Sequence, residues 1–91
     1  MTAAEIYQVE GFDSKKRYFN RNLFIHKQER TFLAQFTYEG LHCETSHFAT
    51  PLEAVKDLVK TLQEKDFSQL RAKLNFKGKK YLTELEPWIA F

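Results

Sequence analysis

Three histidines, one cysteine and scattered carboxylates are the side chains here with the chemistry for metal binding or nucleophilic attack. His42, Cys43 and His47 stand closest together, with His26 apart from them. In the strand predicted around them, neighbouring side chains alternate between faces, so His42 and Cys43 cannot grip one tetrahedral ion. Cys43 and His47 share a face but lie about 13 Å apart at roughly 3.3 Å per residue, too far for a thiolate–imidazole dyad. Glu84 with Glu86, and Glu53 with Asp57, share a side, yet basic neighbours make each a solvated charge pair. Glycine-rich phosphate loops, a serine nucleophile elbow and spaced metal motifs do not occur in the sequence. The chain therefore reads as non-catalytic, with neither metal nor cofactor, and Cys43 as a buried structural thiol.

Two surfaces remain as candidates. The basic one comprises Lys15, Lys16, Arg17 and Arg21 at the first predicted hairpin, and Arg71, Lys73, Lys77, Lys79 and Lys80 at the last. United by the fold, these cations would hold the backbone of RNA or single-stranded DNA while Tyr18 and Tyr81 stack bases. The competing reading is a pair of solvated turns whose lysines block edge-to-edge aggregation. Fourteen basic against twelve acidic residues leave a net charge of only +2, well short of binding by bulk charge. The apolar candidate is the outer sheet face, where Phe24 and Leu33 are expected opposite each other among Asn20, Asn22, Gln35 and Thr37. Joined by Trp88, Ile89 and Phe91 of the "EPWIAF" tail, they would form a patch for a protein partner or a homodimer. A lone exposed apolar pair is the competing reading. The leading expectation is a small protein-interaction or accessory-subunit module, with nucleic-acid binding as the alternative.

These surfaces need a scaffold, and 91 residues suffice for one domain, 1–91, without repeat or linker. A chain this short buries roughly 60 to 65% of its unfolded surface, and nine Phe, four Tyr and one Trp supply the material. A single cysteine excludes an internal disulfide and favours a cytoplasmic address. The chain has no apolar run of the roughly 18 to 20 residues that a membrane span needs, and its start lacks the basic-then-apolar order of a signal peptide.

"EIYQVEGF", "RYFNRNLFIHK", "RTFLAQFTYE" and "LHCETSHF" read as strands, rich in aromatic and β-branched residues and separated by polar turns. A turn at Gln28–Glu29 would pair Ile25 with Phe32, Leu23 with Ala34 and Phe19 with Tyr38. The next, at Glu39–Gly40, would pair Tyr38 with Leu41, Phe36 with Cys43 and Ala34 with Thr45, continuing one apolar face across three strands. At "TPLE" the period changes: Thr50 suits an N-cap, Pro51 the first helical position, and Glu53 completes a capping box. Leu52, Val55, Leu58, Val59 and Leu62 then form an apolar stripe opposite Lys56, Asp57, Lys60 and Glu64.

Alternation returns with Leu70, Ala72, Leu74 and Phe76 on one face. A closing hairpin around Gly78 would pair Leu74 with Tyr81, Ala72 with Thr83 and Leu70 with Leu85, setting Arg71 beside Glu84. A rival register with a bulge at Gly78 sets Leu70 against Glu84 and Leu74 against Lys80. The fold class is thus α+β: an antiparallel sheet of about five to six strands in the order ββββ-α-ββ, with one amphipathic helix on one face.

Overall fold

Apolar residues at every second position build the first four strands, β1 (Glu5–Phe12), β2 (Tyr18–Gln28), β3 (Thr31–Tyr38) and β4 (Leu41–Glu44). Helix α1 (Pro51–Glu64) follows, then β5 (Ser68–Lys77) and the two-residue strands β6 (Lys80–Tyr81) and β7 (Ile89–Ala90). The computed structural model describes residues 3–77, 80–81 and 87–91. In space the strands run β4-β3-β2-β1-β5, all antiparallel, and β6 and β7 pair with β5 along different stretches of it. The architecture is α+β, a six-position antiparallel sheet with one helix packed against it in the order ββββ-α-ββ.

The inward residues are Tyr7 and Val9 of β1, Phe19, Leu23 and Ile25 of β2, Ala34, Phe36 and Tyr38 of β3, Cys43 of β4, and Leu70 and Ala72 of β5. Helix α1 lies over β2, β3 and β4. Thr50 caps it in an extended conformation, its hydroxyl accepting the Glu53 N–H at 3.2 Å and donating to Glu53 Oε1 at 2.9 Å. Ala54, Val55, Leu58, Val59 and Leu62 are its buried stripe, three and four residues apart. Leu52, expected within that stripe, is only partly buried, and Ala54 takes its place. Beyond the helix, Phe19, Tyr38 and Phe67 pack ring to ring at 5.2 to 5.9 Å, and Phe36 joins them. Burying one such side chain contributes about 1.5–3 kcal/mol, against about 1–2 kcal/mol for fixing one residue's backbone. A small domain therefore needs this density of aromatic residues.

The β3–β4 turn falls at Glu39–Gly40 as expected, with φ of 45° and 85°, and Tyr38 pairs with Leu41 and Phe36 with Cys43. Both central residues at positive φ suit the strand twist, which is why Gly follows Glu39. Ala34 and Thr45 also meet, Thr45 N–H donating to the Ala34 carbonyl at 3.0 Å. The β2–β3 register differs from expectation by two residues. Ile25 pairs with Ala34, Lys27 with Phe32 and Gln28 with Thr31, so the turn is Glu29–Arg30. A two-residue slip leaves each side chain on its face, and no Gly, Asn or Pro pins that turn.

The last hairpin is also shifted: Phe76 pairs with Tyr81 and Lys77 with Lys80, overturning both registers weighed for it. Thr83, Glu84 and Leu85 lie outside the described residues, as does Gly78, and Arg71 and Ala72 pair with Ala90 and Ile89 of β7. The larger departure is that β5 pairs with β1 and carries two irregularities there. Ile6 faces Phe76 while Tyr7 faces Leu74, so Asn75 is extra and Phe76 turns to the face away from the helix, correcting its expected inward position. Glu10 faces Arg71 while Phe12 faces Ser68, and Gln69 in this second bulge has φ 51°.

Gly11 sits against that second bulge. A Cβ there would stand 2.7 Å from Leu70 Cδ2, 2.8 Å from the Ser68 carbonyl oxygen and 3.0 Å from that of Gln69. Two of the three atoms are backbone, so the strands would have to part. Gly11→Ala is expected to destabilise the protein by about 1–3 kcal/mol, read as a lowered Tm in thermal denaturation; an unchanged Tm would contradict this packing.

Candidate functional site

Because one helix covers one face, the other face of the sheet carries the side chains of alternate positions into solvent. Across it runs a cross-strand row: Glu44 of β4 opposite Gln35, Gln35 opposite Phe24, Phe24 opposite Ile6, and Ile6 opposite Phe76. The last three, Phe24, Ile6 and Phe76, are apolar, and Phe24 is 38% exposed. Leu33 lies opposite His26, diagonal to Phe24 rather than facing it, a correction that follows from the two-residue slip. His26, Gln28, Leu33, Gln35 and Glu44 line a hollow of about 370 Å³ beside the row. The buried Nδ1 of His26 has no hydrogen-bond partner among the described residues.

Next to the apolar row is a polar knot centred on Glu10, a carboxylate only 9% exposed. Tyr18 donates its hydroxyl to Glu10 at 2.6 Å, Asn20 its amide at 3.4 Å, and Arg71 forms an ion pair with it. Gln8 donates in turn to Asn20 at 2.9 Å. The Tyr18 hydroxyl, with the Arg71 hydrogen bond and the charges of Arg71 and Lys73, outweighs burial and holds the Glu10 carboxyl below its usual value. Trp88 covers this corner, its ring 4.3 Å from the Arg71 guanidinium carbon and 5.1 Å from Lys73 Nζ. Arg71 and Lys73 are therefore joined on the open face, with Tyr18 beside them.

The other residues named from sequence scatter. Lys15, Lys16 and Arg17 belong to the β1–β2 turn. Lys77 pairs with Glu5 at the opposite end of β1, roughly 23 Å away at about 3.3 Å per residue. Arg21 leaves the open face and lies 5.3 Å over the Tyr38 ring. Lys80 and Tyr81 follow Lys77 across the hairpin, and Lys79 lies outside the described residues. In the tail, Phe91 N–H donates to the Leu70 carbonyl at 3.0 Å and its ring packs against the core. Ile89 shares the inward face with Ala72, which leaves Trp88 as the tail's contribution to the open face. His42 and Cys43 do take opposite faces: His42 is exposed near Thr37, and Cys43 is buried, which raises its thiol pKa.

Ile6, Phe76, Glu10 and Asp13 were missed from sequence. Phe76 depends on the Asn75 bulge, which no residue signals, whereas Ile6 faces outward by alternation with the inward Tyr7 and Val9. Asp13 did carry a signal, since Asp ahead of "SKKR" suits a side chain that caps its own turn. Its Oδ1 accepts the Lys15 and Arg17 N–H groups, each at 2.9 Å, and its Oδ2 accepts from Arg17 Nε at 3.0 Å and the Tyr38 hydroxyl at 2.8 Å. Arg17 reaches on to Glu39 at 2.7 Å, fastening the β1–β2 turn to the β3–β4 turn. Arg17 in the basic turn is thus held by two carboxylates.

Comparisons with protein-family models, with curated proteins and with solved structures find no match to this chain. Function must be argued from these surfaces alone.

Burial would raise the Asp13 pKa, but the hydrogen bonds from Arg17 N–H, the Tyr38 hydroxyl, Lys15 N–H and the Arg17 side chain lower it to about 2 from an ordinary 3.8. A depressed carboxylate stabilises the fold fully above its unfolded value and loses that contribution as pH falls through its folded value. Stability from Asp13 is therefore expected to drain away between the ordinary 3.8 and about 2. Asp13→Asn should lower stability at neutral pH and flatten the fall in that window, checked by urea melts across the acid range. Equal acid slopes in the two proteins would refute this role.

Proposed function

We propose that this chain is a small non-catalytic protein-interaction module whose partner docks on the open sheet face. The observation that carries the reading is the row Phe24–Ile6–Phe76, three apolar residues from three adjacent strands on the face that the helix leaves uncovered. Around Phe24 its surroundings are amides and a hydroxyl (Gln8, Asn20, Asn22, Gln35 and Thr37), with charge set at the flanks as Glu44 on one side and the Glu10, Arg71 and Lys73 group on the other. Depletion of charge around an apolar centre is the composition of an interface core. The tail supports the same face through Trp88 alone, so truncating it tests the core instead of the interface. Phe24→Ser is the cleaner probe: it is expected to leave the fold intact by circular dichroism and to reduce capture of the partner by about tenfold or more. A partner retained at full strength by Phe24→Ser would sink the proposal.

The alternative, RNA or single-stranded DNA binding, draws on Tyr18, 60% exposed near Lys15 and Lys16, and on Arg71, Lys73 and Trp88 across the same face. The two basic turns at opposite ends of β1 leave no short groove between them, and Arg71 and Arg17 already have carboxylate partners. On this alternative, fluorescence anisotropy with mixed oligonucleotides at low salt should rise on titration, and Lys15→Glu with Lys16→Glu should abolish the rise. A flat titration with the unmutated protein removes this reading.

A further inference from the structure

We infer that the partner on the open face is a second copy of this chain, packed face to face about a two-fold axis that runs along the strands. The inference rests on the open-face reading above and names its occupant. Charge is the first ground. Among the described strand residues the charged side chains of this face are Glu10, Glu44, Arg71 and Lys73, two of each sign, whereas the whole chain carries +2. A second copy thus meets no net repulsion between the strands of this face.

The placement of the charges then selects the symmetry. Glu10 and Arg71 satisfy each other. That leaves Glu44 on the β4 flank and Lys73, opposite Gln8, on the β5 flank, with Phe24 and Ile6 between. Rotation about an axis along the strands exchanges the flanks, so each Glu44 falls over the β5 flank of the other copy, on the side of Lys73. An in-plane axis across the strands that kept the apolar row central would instead set Glu44 on Glu44. With the first axis running along the middle strand β2, Phe24 packs on its own counterpart and Ile6 on Gln35 of the second copy, each contact made twice as an isologous interface requires. Two twisted sheets meeting this way cross at about 30° with roughly 10 Å between them, which the Glu44 and Lys73 side chains can span.

Area is the second ground. Five strands of about seven residues make a face of roughly 20 by 25 Å. With side-chain relief this approaches the roughly 600 Å² per partner at which specific interfaces begin. The helix side offers no comparable apolar ground, since its stripe is already buried against the sheet.

Sedimentation equilibrium of the intact chain, from micromolar to millimolar concentration, tests the inference. The expected result is a species of about twice 10.8 kDa. Its dissociation constant should rise about tenfold or more in Phe24→Glu, and also in Glu44→Lys and in Lys73→Glu. The double variant Glu44→Lys with Lys73→Glu should recover most of the affinity, a rescue that a merely misfolded variant would not show. A protein monomeric throughout overturns the second-copy inference while leaving the open face to a different protein, which the Phe24→Ser capture experiment decides. A dimer indifferent to Phe24→Glu overturns both readings, and loss without rescue in the double variant overturns the proposed axis.

Discussion

The pairing of β1 with β5 is the contact on which the rest of the molecule depends. Without it the first four strands are a meander with β1 at its edge, and the Leu70 and Ala72 side chains have no core to enter. With it, residues 61 positions apart meet as Glu10 and Arg71, and β5 in turn offers its far edge to β6 and β7. The pairing is not regular. One bulge turns Phe76 outward, and the other fits only because Gly11 has no side chain to meet the Ser68 and Gln69 carbonyls. An antiparallel ladder interrupted twice gains local twist, and the outward turn of Phe76 completes the apolar row.

Two carboxylates hold the polar parts of this frame, and they differ in kind. Asp13 accepts four hydrogen bonds within the turns and ties β1, β2 and β3 together at one end of the sheet. Glu10 performs the equivalent task on the open face, joining β2 through Tyr18 and Asn20 to β5 through Arg71. Both are nearly buried, and both are kept ionised by donors from neighbouring strands. The exposed pair of Arg17 with Glu39 adds less, because solvent screens it on both sides.

Much of the fold was legible in the sequence where local chemistry and long-range pattern coincide. Thr50, Pro51 and Glu53 announce the helix through backbone hydrogen bonding confined to one turn. Glu39–Gly40 announces its hairpin through the positive φ that Gly accepts without strain. Register was legible only to within a parity: alternation distinguishes inward from outward but not Ala34 from Phe32 as the partner of Ile25. Strand order was not legible, since β1–β5 pairing arises from a crossover that no adjacent residues encode. Of the candidate site, Phe24 and Trp88 do lie on the open face, whereas Ile89 and Phe91 joined the inward side and the basic turns stayed apart. Phe76 escaped notice because a single inserted residue, Asn75, reverses the facing beyond it, while the outward facing of Ile6 is set by the alternation of β1 itself. No helix among the described residues is long and apolar enough to cross a membrane.

The spatial order β4-β3-β2-β1-β5 also has a consequence in time. Strand β1 is made first, yet it waits for a neighbour made after the helix. Until Ser68–Lys77 has left the ribosome, the nascent meander presents the β1 edge with its backbone groups unpaired, next to Tyr7 and Val9 that have not yet found their full cover. Contacts of such long sequence separation form slowly because the intervening loop must be closed first. The period of vulnerability to mispairing is therefore set by the synthesis of the 65 residues that follow Phe12 up to Lys77, roughly 3 to 13 seconds at ordinary elongation rates. The charges of Glu5 and Glu10 along that edge oppose its pairing with another β1 while it waits.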